Sequence, residues 1–303
     1  MKLVHKGSTK DVYSSRESYV FSFSDRYSVF DWGEMPDQIA HKGASLAAFS
    51  KTVYRHLAGL GIKTHFVDEA CGPEQMVIRP FEITRESPLP QRENLFVPLE
   101  VIFRLGVAKG SSLLKKSPGF RELQRFPSPM IEFTTKLERF DRPLSHQEAR
   151  DLCGMNAAEW ADLQSTTFTI ATALKQLFGH SGITLWDGKL EFALAERVNG
   201  NREIVLVDSI GPDELRLTKD DVLLSKEIIR QHYRKAPWYQ QLEVAKKEHG
   251  AAFKDHISLP EKLPAAFKQA VSSMYQVLPE LLSSVPGSQQ KLSGLLAELK
   301  GES

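Results

Sequence analysis

The sequence predicts an α+β protein of two lobes, a smaller antiparallel sheet lobe followed by a larger α/β lobe. Three observations carry this reading. Residues before 80 are mostly strand-like, with one helix. Residues 81–96 carry prolines and charges with no periodicity. After them, strands alternate with helices as far as residue 248, and a helical extension, 249–303, closes the chain. The expected organisation is therefore 1–80, 81–96 as hinge or excursion, 97–248 and 249–303.

In the first segment, Tyr19–Asp25 alternates Tyr, Phe and Phe with Val, Ser and Ser, the period of a half-buried strand. Leu46, Phe49, Val53 and Leu57 then recur at helical spacing between Lys42 and Leu60, and Gly59 and Gly61 supply a stop. Ile62–Phe66 and Met76–Ile78 are short apolar runs that suit strands. Val97–Phe103 resumes as a strand after the excursion. Ser145 with Glu148 forms a capping box, and Asn156 with Glu159 a looser version of it. The second opens a helix through Trp160, Leu163, Ile170, Leu174 and Leu177. Strands Ile183–Ala195 and Glu203–Asp208 are joined through Asn199-Gly200, a strong hairpin signal. The chain turns helical from Ser225. Phe267, Val271, Met274, Val277 and Leu281 suit a single amphipathic helix in the extension, whose apolar stripe fits packing on its own lobe or on a second copy of the chain.

Composition narrows the function. The 303 residues hold 39 Lys and Arg against 38 Asp and Glu, a net charge of +1. No overall field favours nucleic acid or an anionic membrane, so an anionic substrate must be gripped by a local cluster of cations. Cys71 and Cys153 form no CxxC pair, which fits a reducing compartment without structural zinc. The opening MKLVHKGSTKDVYSS lacks the apolar core of a signal peptide, and no run approaches the ~18 apolar residues of a membrane span. The expectation is a soluble cytoplasmic protein.

The most informative stretch is LWDGKLEFALA. Asp187, Lys189 and Glu191 are spaced two apart, so a strand puts all three on one face. With a two-residue turn at Asn199-Gly200, Val198 pairs with Asn201, and continuing that register sets Glu191 directly opposite Asp208. Two carboxylates roughly 5 Å apart repel unless a cation lies between them. Glu191 and Asp208 therefore read as ligands of a hard divalent ion, Mg²⁺ with phosphates, and Lys189 as a charge beside it. A solvated strand face would show the same alternation. Lys6–Lys10 and Lys109–Ser112 are basic, glycine-containing loops able to present N–H groups to phosphate, and Arg104 and Arg216 are candidate guanidinium clamps. Gly59–Thr64 lacks the Gly-Lys-[Ser/Thr] of a P-loop. Ser112–Lys115 matches SxxK without its companion motifs, and the nine histidines form no metal-binding spacing.

Taken together and in order, these motifs resemble the SAICAR synthetase family over about residues 5–240. KGSTKDVY, FSFSDRYSVFD, KGAS, KTHF, PLEVIFR, GSSLLKK, WDGKLEF, LVDSIGPDELRL and SKEIIRQHYR each look like a family segment. The resemblance implies the SAICAR synthetase-like fold, with ATP between the smaller and larger lobes. It also implies an ATP-dependent ligase that activates the carboxylate of carboxyaminoimidazole ribonucleotide as an acyl phosphate and joins it to L-aspartate. By the same token Lys10, Ser8, Arg79 and Lys189 would face the nucleotide and Glu191 and Asp208 would hold Mg²⁺. Asp31, Arg104, Ser111 and Arg216 would hold the ribonucleotide, and Asp187, Lys189 and Asp213 would line the reacting centre. The chain departs from the family at Ser8 (a lysine there), Ser209 (an acidic residue), Gly188 (Phe), Ala193 (Gly) and Arg79 (Lys). The arginine-to-Gly-Ser stretch is one residue longer. A paralogous carboxylate–amine ligase with another acid or amine, and a nucleotide-binding protein without catalysis, fit the same residues.

Overall fold

The computed structural model describes every residue except 16, 69–70, 117–118, 139–140 and 303. Its residues cluster into two units. One comprises 1–49, 69–77 and 219–303, the other 50–68 and 78–218. The C-terminal residues cluster with the N-terminal ones because their aromatic side chains pack on residues 26–42.

In the first unit, strands Lys2–Lys6, Lys10–Ser15 and Ser18–Phe23 form an antiparallel meander, and Gln75–Ile78 lies beside the third. The first turn is tight. The Gly7 N–H donates to the Lys10 carbonyl at 3.1 Å, and a Cβ on Gly7 would stand 2.4 Å from that oxygen. Asp25 then accepts from the N–H groups of His41 (3.2 Å) and Gly43 (2.9 Å), which caps the helix Lys42–Gly59. Against residues 26–42 pack Trp238 and Phe253 on Trp32, Tyr233 on Tyr27, and Ser272, whose hydroxyl donates to the Ala40 carbonyl at 2.6 Å.

The extension is not one helix. It continues from Pro237–His249 through a 3₁₀ turn at Gly250–His256 to helices Ala265–Leu282 and Ser288–Glu302. Pro260, Pro264 and the Pro286-Gly287 pair break it, since proline offers no N–H and Gly287 takes a left-handed φ of 82°. Among the described residues, no helix is long and apolar enough to cross a membrane.

In the second unit an antiparallel sheet runs in the order Leu215–Lys219, Thr184–Val198, Leu99–Gly106, Arg125–Thr135, Pro143–Leu144. The far half of Thr184–Val198 pairs instead with Asn201–Val207 and Leu95–Phe96. Helix Ala157–Gly179 covers one face with Leu163, Ile170, Leu174 and Phe178. Both expected capping boxes are complete. Strand Arg125–Thr135 has no counterpart in the sequence reading, because Pro127 and Pro129 argue against a strand. Here they fall between Arg125 and Met130, where the register with Leu99–Gly106 shifts and the ladder needs no N–H from them.

The excursion is tied down by one buried cation. Arg202 makes a bidentate pair with Glu159, both side chains wholly buried, and donates to the carbonyls of Pro90, Arg92 and Gly154. An arginine thus satisfies backbone oxygens that the irregular segment cannot pair for itself.

Candidate active site

The sheet of the second unit has one apolar and one charged face. Pairing puts Asp187 beside Arg104 on one neighbouring strand and Arg216 on the other. Because side chains alternate, Lys189 and Glu191 share that face with Asp187, and Glu100 shares it with Arg104. The opposite face carries Phe103, Leu190 and Phe192 against the covering helix. Gly188 belongs to it, and a Cβ there would stand 2.6 Å from both Phe103 Cζ and Leu215 Cδ2. Phe103 and Leu215 fill the space that any side chain at this position would need.

Two clusters form on the charged face. In one, Asp187 Oδ2 lies 3.4 Å from Arg104 Nη1 and 3.5 Å from Arg216 Nη1. Arg104 also pairs with Glu132 and reaches Ser112 Oγ at 3.4 Å. Among the described residues, no acceptor is aligned on the buried Arg216 Nη1. The two guanidinium groups are balanced by the carboxylates of Asp187 and Glu132, so what the cluster offers a phosphate is guanidinium N–H donors, Arg216 Nη1 foremost. Ser111 is not part of this cluster. It is buried, and its hydroxyl accepts from the Leu113 N–H, so the exposed Ser112 is the serine beside Arg104.

In the other, four charges alternate. Lys189 Nζ lies 2.6 Å from Glu100 Oε1 and 3.5 Å from Glu191 Oε1. Lys136 Nζ lies 2.7 Å from the same Glu191 oxygen and 3.0 Å from Glu100 Oε1. Against the cost of burial, the lysines hold the Glu100 carboxyl below its ordinary value, and the carboxylates hold both ammonium groups above theirs. Glu191 behaves oppositely. Burial and then the Asp208 charge push its carboxyl up, more than Lys136 and Lys189 pull it down. It is 5% exposed, so this is not a solvated strand face.

Glu191 does not face Asp208 across the hairpin. The turn is as expected, with Asn199 and Gly200 at φ of 51° and 87° and Val198 opposite Asn201. A bulge between Leu194 and Arg197 then adds a residue to the longer strand, and Glu191 lands opposite Val207. Asp208, the next residue, leaves strand geometry with a φ of 67°. The Tyr54 hydroxyl is 3.0 Å from the Val207 carbonyl and 2.9 Å from that of Asp208. His65 Nε2 lies 2.8 Å from the latter, which can only accept, so His65 carries its proton there. Proximity of the two carboxylates thus comes from a left-handed residue after a bulge, not from direct pairing.

The donor set suits a phosphate-borne Mg²⁺ better than a protein cage. Among the described residues, no three or more His, Cys, Asp or Glu side chains gather as a metal site. Mg²⁺ commonly takes one or two carboxylates and fills its shell with phosphate and water. Glu191 and Asp208 fit that demand, and among the described residues no donor is aligned on the buried Glu191 Oε1 despite the nearby ammonium groups. Beyond Glu191 on the same strand face, Ala193, Ala195, Val205 and Val207 form an apolar floor flanked by Phe81 and Phe96.

The remaining expected residues stand as follows. Arg79 bonds Asn94 and Glu196, with its guanidinium 5.0 Å from the Phe81 ring centroid. Asp213 lies in the turn leading to Leu215–Lys219. In the first unit, Ser8 is exposed at the hairpin tip, Lys10 Nζ lies 4.7 Å from the Phe21 ring centroid, and Asp31 holds a φ of 58° with Lys246 at 3.2 Å. Glu100, Lys136, Glu132, Tyr54 and His65 were not singled out from sequence. Glu100 was legible at even spacing from Arg104, whereas Lys136 follows the strand that two prolines disguise.

A family model described as SAICAR synthetase matches residues 3–245. The chain belongs to the SAICAR synthetase family. Phosphoribosylaminoimidazole-succinocarboxamide synthase of Thermoplasma acidophilum is 33% identical over 295 residues, covering 91% of this chain and 98% of the relative. That of Thermoplasma volcanium is 30% identical over 302 residues, covering 93% and 99%. These alignments reach past residue 245 into the C-terminal helices. Among solved structures, a SAICAR synthetase (Type-2) in complex with ADP is 26% identical with a TM-score of 0.63, covering 86% of this chain and all of that one. The SAICAR synthase of Saccharomyces cerevisiae, complexed with SAICAR, shares the fold at 22% identity and a TM-score of 0.68, covering 93% and 94%. Family membership makes the chain an enzyme, an ATP-dependent ligase, and the α+β fold of the SAICAR synthetases is the fold it adopts.

Proposed function

We propose that the chain joins the carboxylate of carboxyaminoimidazole ribonucleotide to the amine of L-aspartate at the expense of ATP, in purine biosynthesis. The carboxylate oxygen attacks the γ-phosphorus and ADP leaves. The amine nitrogen attacks the acyl carbon, phosphate leaves, and the nitrogen loses a proton. The observation that carries this reading is the single charged sheet face. It sets a two-arginine anion grip and a buried carboxylate without an aligned donor on neighbouring positions of one strand.

In this reading Arg104 and Arg216 bind the ribonucleotide phosphate, with Ser112 beside them, and Asp31 binds the same substrate. Asp187 fixes both guanidinium groups rather than moving protons, since two cations flank it. Lys189 neutralises charge at the reacting carboxylate, and Asp213 lines the same centre. Lys10, Ser8 and Arg79 bind the nucleotide, whose base would lie on the apolar floor beyond Glu191. Glu191 and Asp208 would hold Mg²⁺, which supplies charge neutralisation of the phosphates.

The test is ADP release with Mg²⁺-ATP, the ribonucleotide and L-aspartate, each omitted in turn. Turnover that requires all three, with a succinocarboxamide product by mass, is expected. Turnover that persists when the ribonucleotide or aspartate is replaced by another acid or amine, and fails with this pair, would assign the chain a different substrate pair.

A further inference from the structure

Lys136 is the one member of the four-charge ring that does not come from the central strand or its neighbour Leu99–Gly106. It follows strand Arg125–Thr135 and reaches in from the edge, with its N–H bonded to the Pro98 carbonyl at 3.1 Å. Its side chain is 29% exposed, whereas Glu191 is 6% exposed. It is 2.7 Å from Glu191 Oε1, yet that oxygen has no aligned hydrogen bond among the described residues. The contact is a close ion pair of poor alignment, made by a long side chain with a solvent-facing edge and not by a fixed backbone donor. A long, flexible ammonium with a route to water is suited to being displaced. Lys189 donates to Glu100 Oε1 as Lys136 does, at 2.6 Å against 3.0 Å, but it stands farther from Glu191 Oε1, at 3.5 Å against 2.7 Å.

We propose that Lys136 is a resident counter-ion that occupies Glu191 in the nucleotide-free protein and must yield that carboxylate to the divalent metal. A divalent ion and an ammonium at contact distance on one buried carboxylate oxygen repel each other more strongly than the two ammonium groups that share Glu100 Oε1. Together with Lys189, 3.5 Å from the same oxygen, the lysine keeps the buried charge tolerable until the metal–nucleotide arrives. Glu100 Oε1, to which Lys136 already donates at 3.0 Å, retains the ammonium once Glu191 is given up. Lys136 is in this sense a competitor of the metal and a positioning residue for Glu191. This inference rests on the reading of Glu191 and Asp208 as the metal–nucleotide site.

Calorimetric titration with ADP, once with saturating Mg²⁺ and once with a chelator, tests it on the full-length wild type, Lys136→Met, Lys136→Gln and Lys136→Arg. Both neutral variants are expected to bind ADP about tenfold more tightly than wild type when Mg²⁺ is present, the size expected for removing one partly screened ion pair. They should bind it no more tightly when Mg²⁺ is absent, since an anion gains nothing from the loss of a cation. Lys136→Arg, which keeps the charge, should stay near wild type in both. Weaker or unchanged Mg²⁺-ADP binding in folded neutral variants would overturn the proposal, as would an equal gain with and without metal. Failure of both neutral variants to fold would also overturn it, because a displaceable residue cannot be indispensable to the fold. If wild type itself binds no Mg²⁺-ADP, the metal–nucleotide reading falls and the inference with it. If wild type binds and only the expected gain is missing, the reading stands and the role of Lys136 falls.

Discussion

Tyr54 shares its hydroxyl proton between the carbonyls of Val207 and Asp208, at 3.0 and 2.9 Å, and so fixes the point where strand geometry gives way to a left-handed residue. That tyrosine is wholly buried, and its own ionisation is suppressed by burial and by the charges of Asp208, Glu214 and Glu191. It can therefore act only as a neutral donor. Asp208 holds a backbone conformation that non-glycine residues seldom adopt, and the tyrosine and His65 are what hold it there.

Tyr54→Phe should reduce stability by about 1 kcal/mol, the usual worth of a buried hydrogen bond. It should lower turnover more than that loss alone explains, since Asp208 is freed to drift. Urea denaturation beside steady-state kinetics checks both. A variant as unstable as expected but fully active would detach Asp208's backbone from the chemistry.

Glu191→Gln and Asp208→Asn should each lower ATP turnover on the order of a hundredfold or more. Glu191→Gln should melt no lower than wild type, because it removes a buried carboxylate whose charged form the folded state disfavours. Differential scanning calorimetry and ADP release on the same preparation decide it.

Arg202→Met should destabilise the chain by about 3–5 kcal/mol, because Glu159 is left charged and unpaired in the interior. Equilibrium denaturation gives the value. A loss below about 1 kcal/mol would mean that solvent reaches the pair.

The same pair sets an acid limit. Although burial opposes it, the hydrogen bonds from Arg202 and from the Arg202 and Asn156 N–H groups bring the Glu159 carboxyl down to about 2. A carboxyl depressed on folding contributes stability that is present above its unfolded value, near 4.5, and lost as pH falls toward 2. Stability should therefore drop steadily across that window, and Glu159→Gln, already destabilised at neutral pH, should show a shallower drop. Urea midpoints between pH 5 and about 2 test this.

Gly188→Phe should cost about 1–3 kcal/mol by overpacking against Phe103 and Leu215. Phe103→Ala should recover much of it, giving a double-mutant coupling that separates a volume exchange from a backbone requirement.

Local signals were read well and long-range ones less so. Capping boxes and the Asn-Gly turn lie within a few residues of each other, and the structure reproduces them. The Glu191–Asp208 register failed because nothing in ALAERV announces an extra residue, and a bulge shifts every pair beyond it. Ser111 was chosen over Ser112 by spacing alone, whereas the local turn spends the first serine's hydroxyl on the Leu113 N–H. Lys136 was invisible because its strand opens through two prolines, which only a shift of register makes tolerable. The extension's apolar stripe was real and lies whole in Ala265–Leu282, but prolines on either side keep that helix from running through the extension.

The hydroxyls of Tyr27 and Tyr233 lie 2.9 Å apart across 206 positions of chain. During translation that contact cannot exist until most of the polypeptide has left the ribosome. The 50–68 and 78–218 unit is fully synthesised by then, while the N-terminal sheet still lacks the helices that cover Trp32 and Tyr27. Residues 26–42 are thus made before that unit and enclosed after it, which leaves them long within reach of chaperones and proteases.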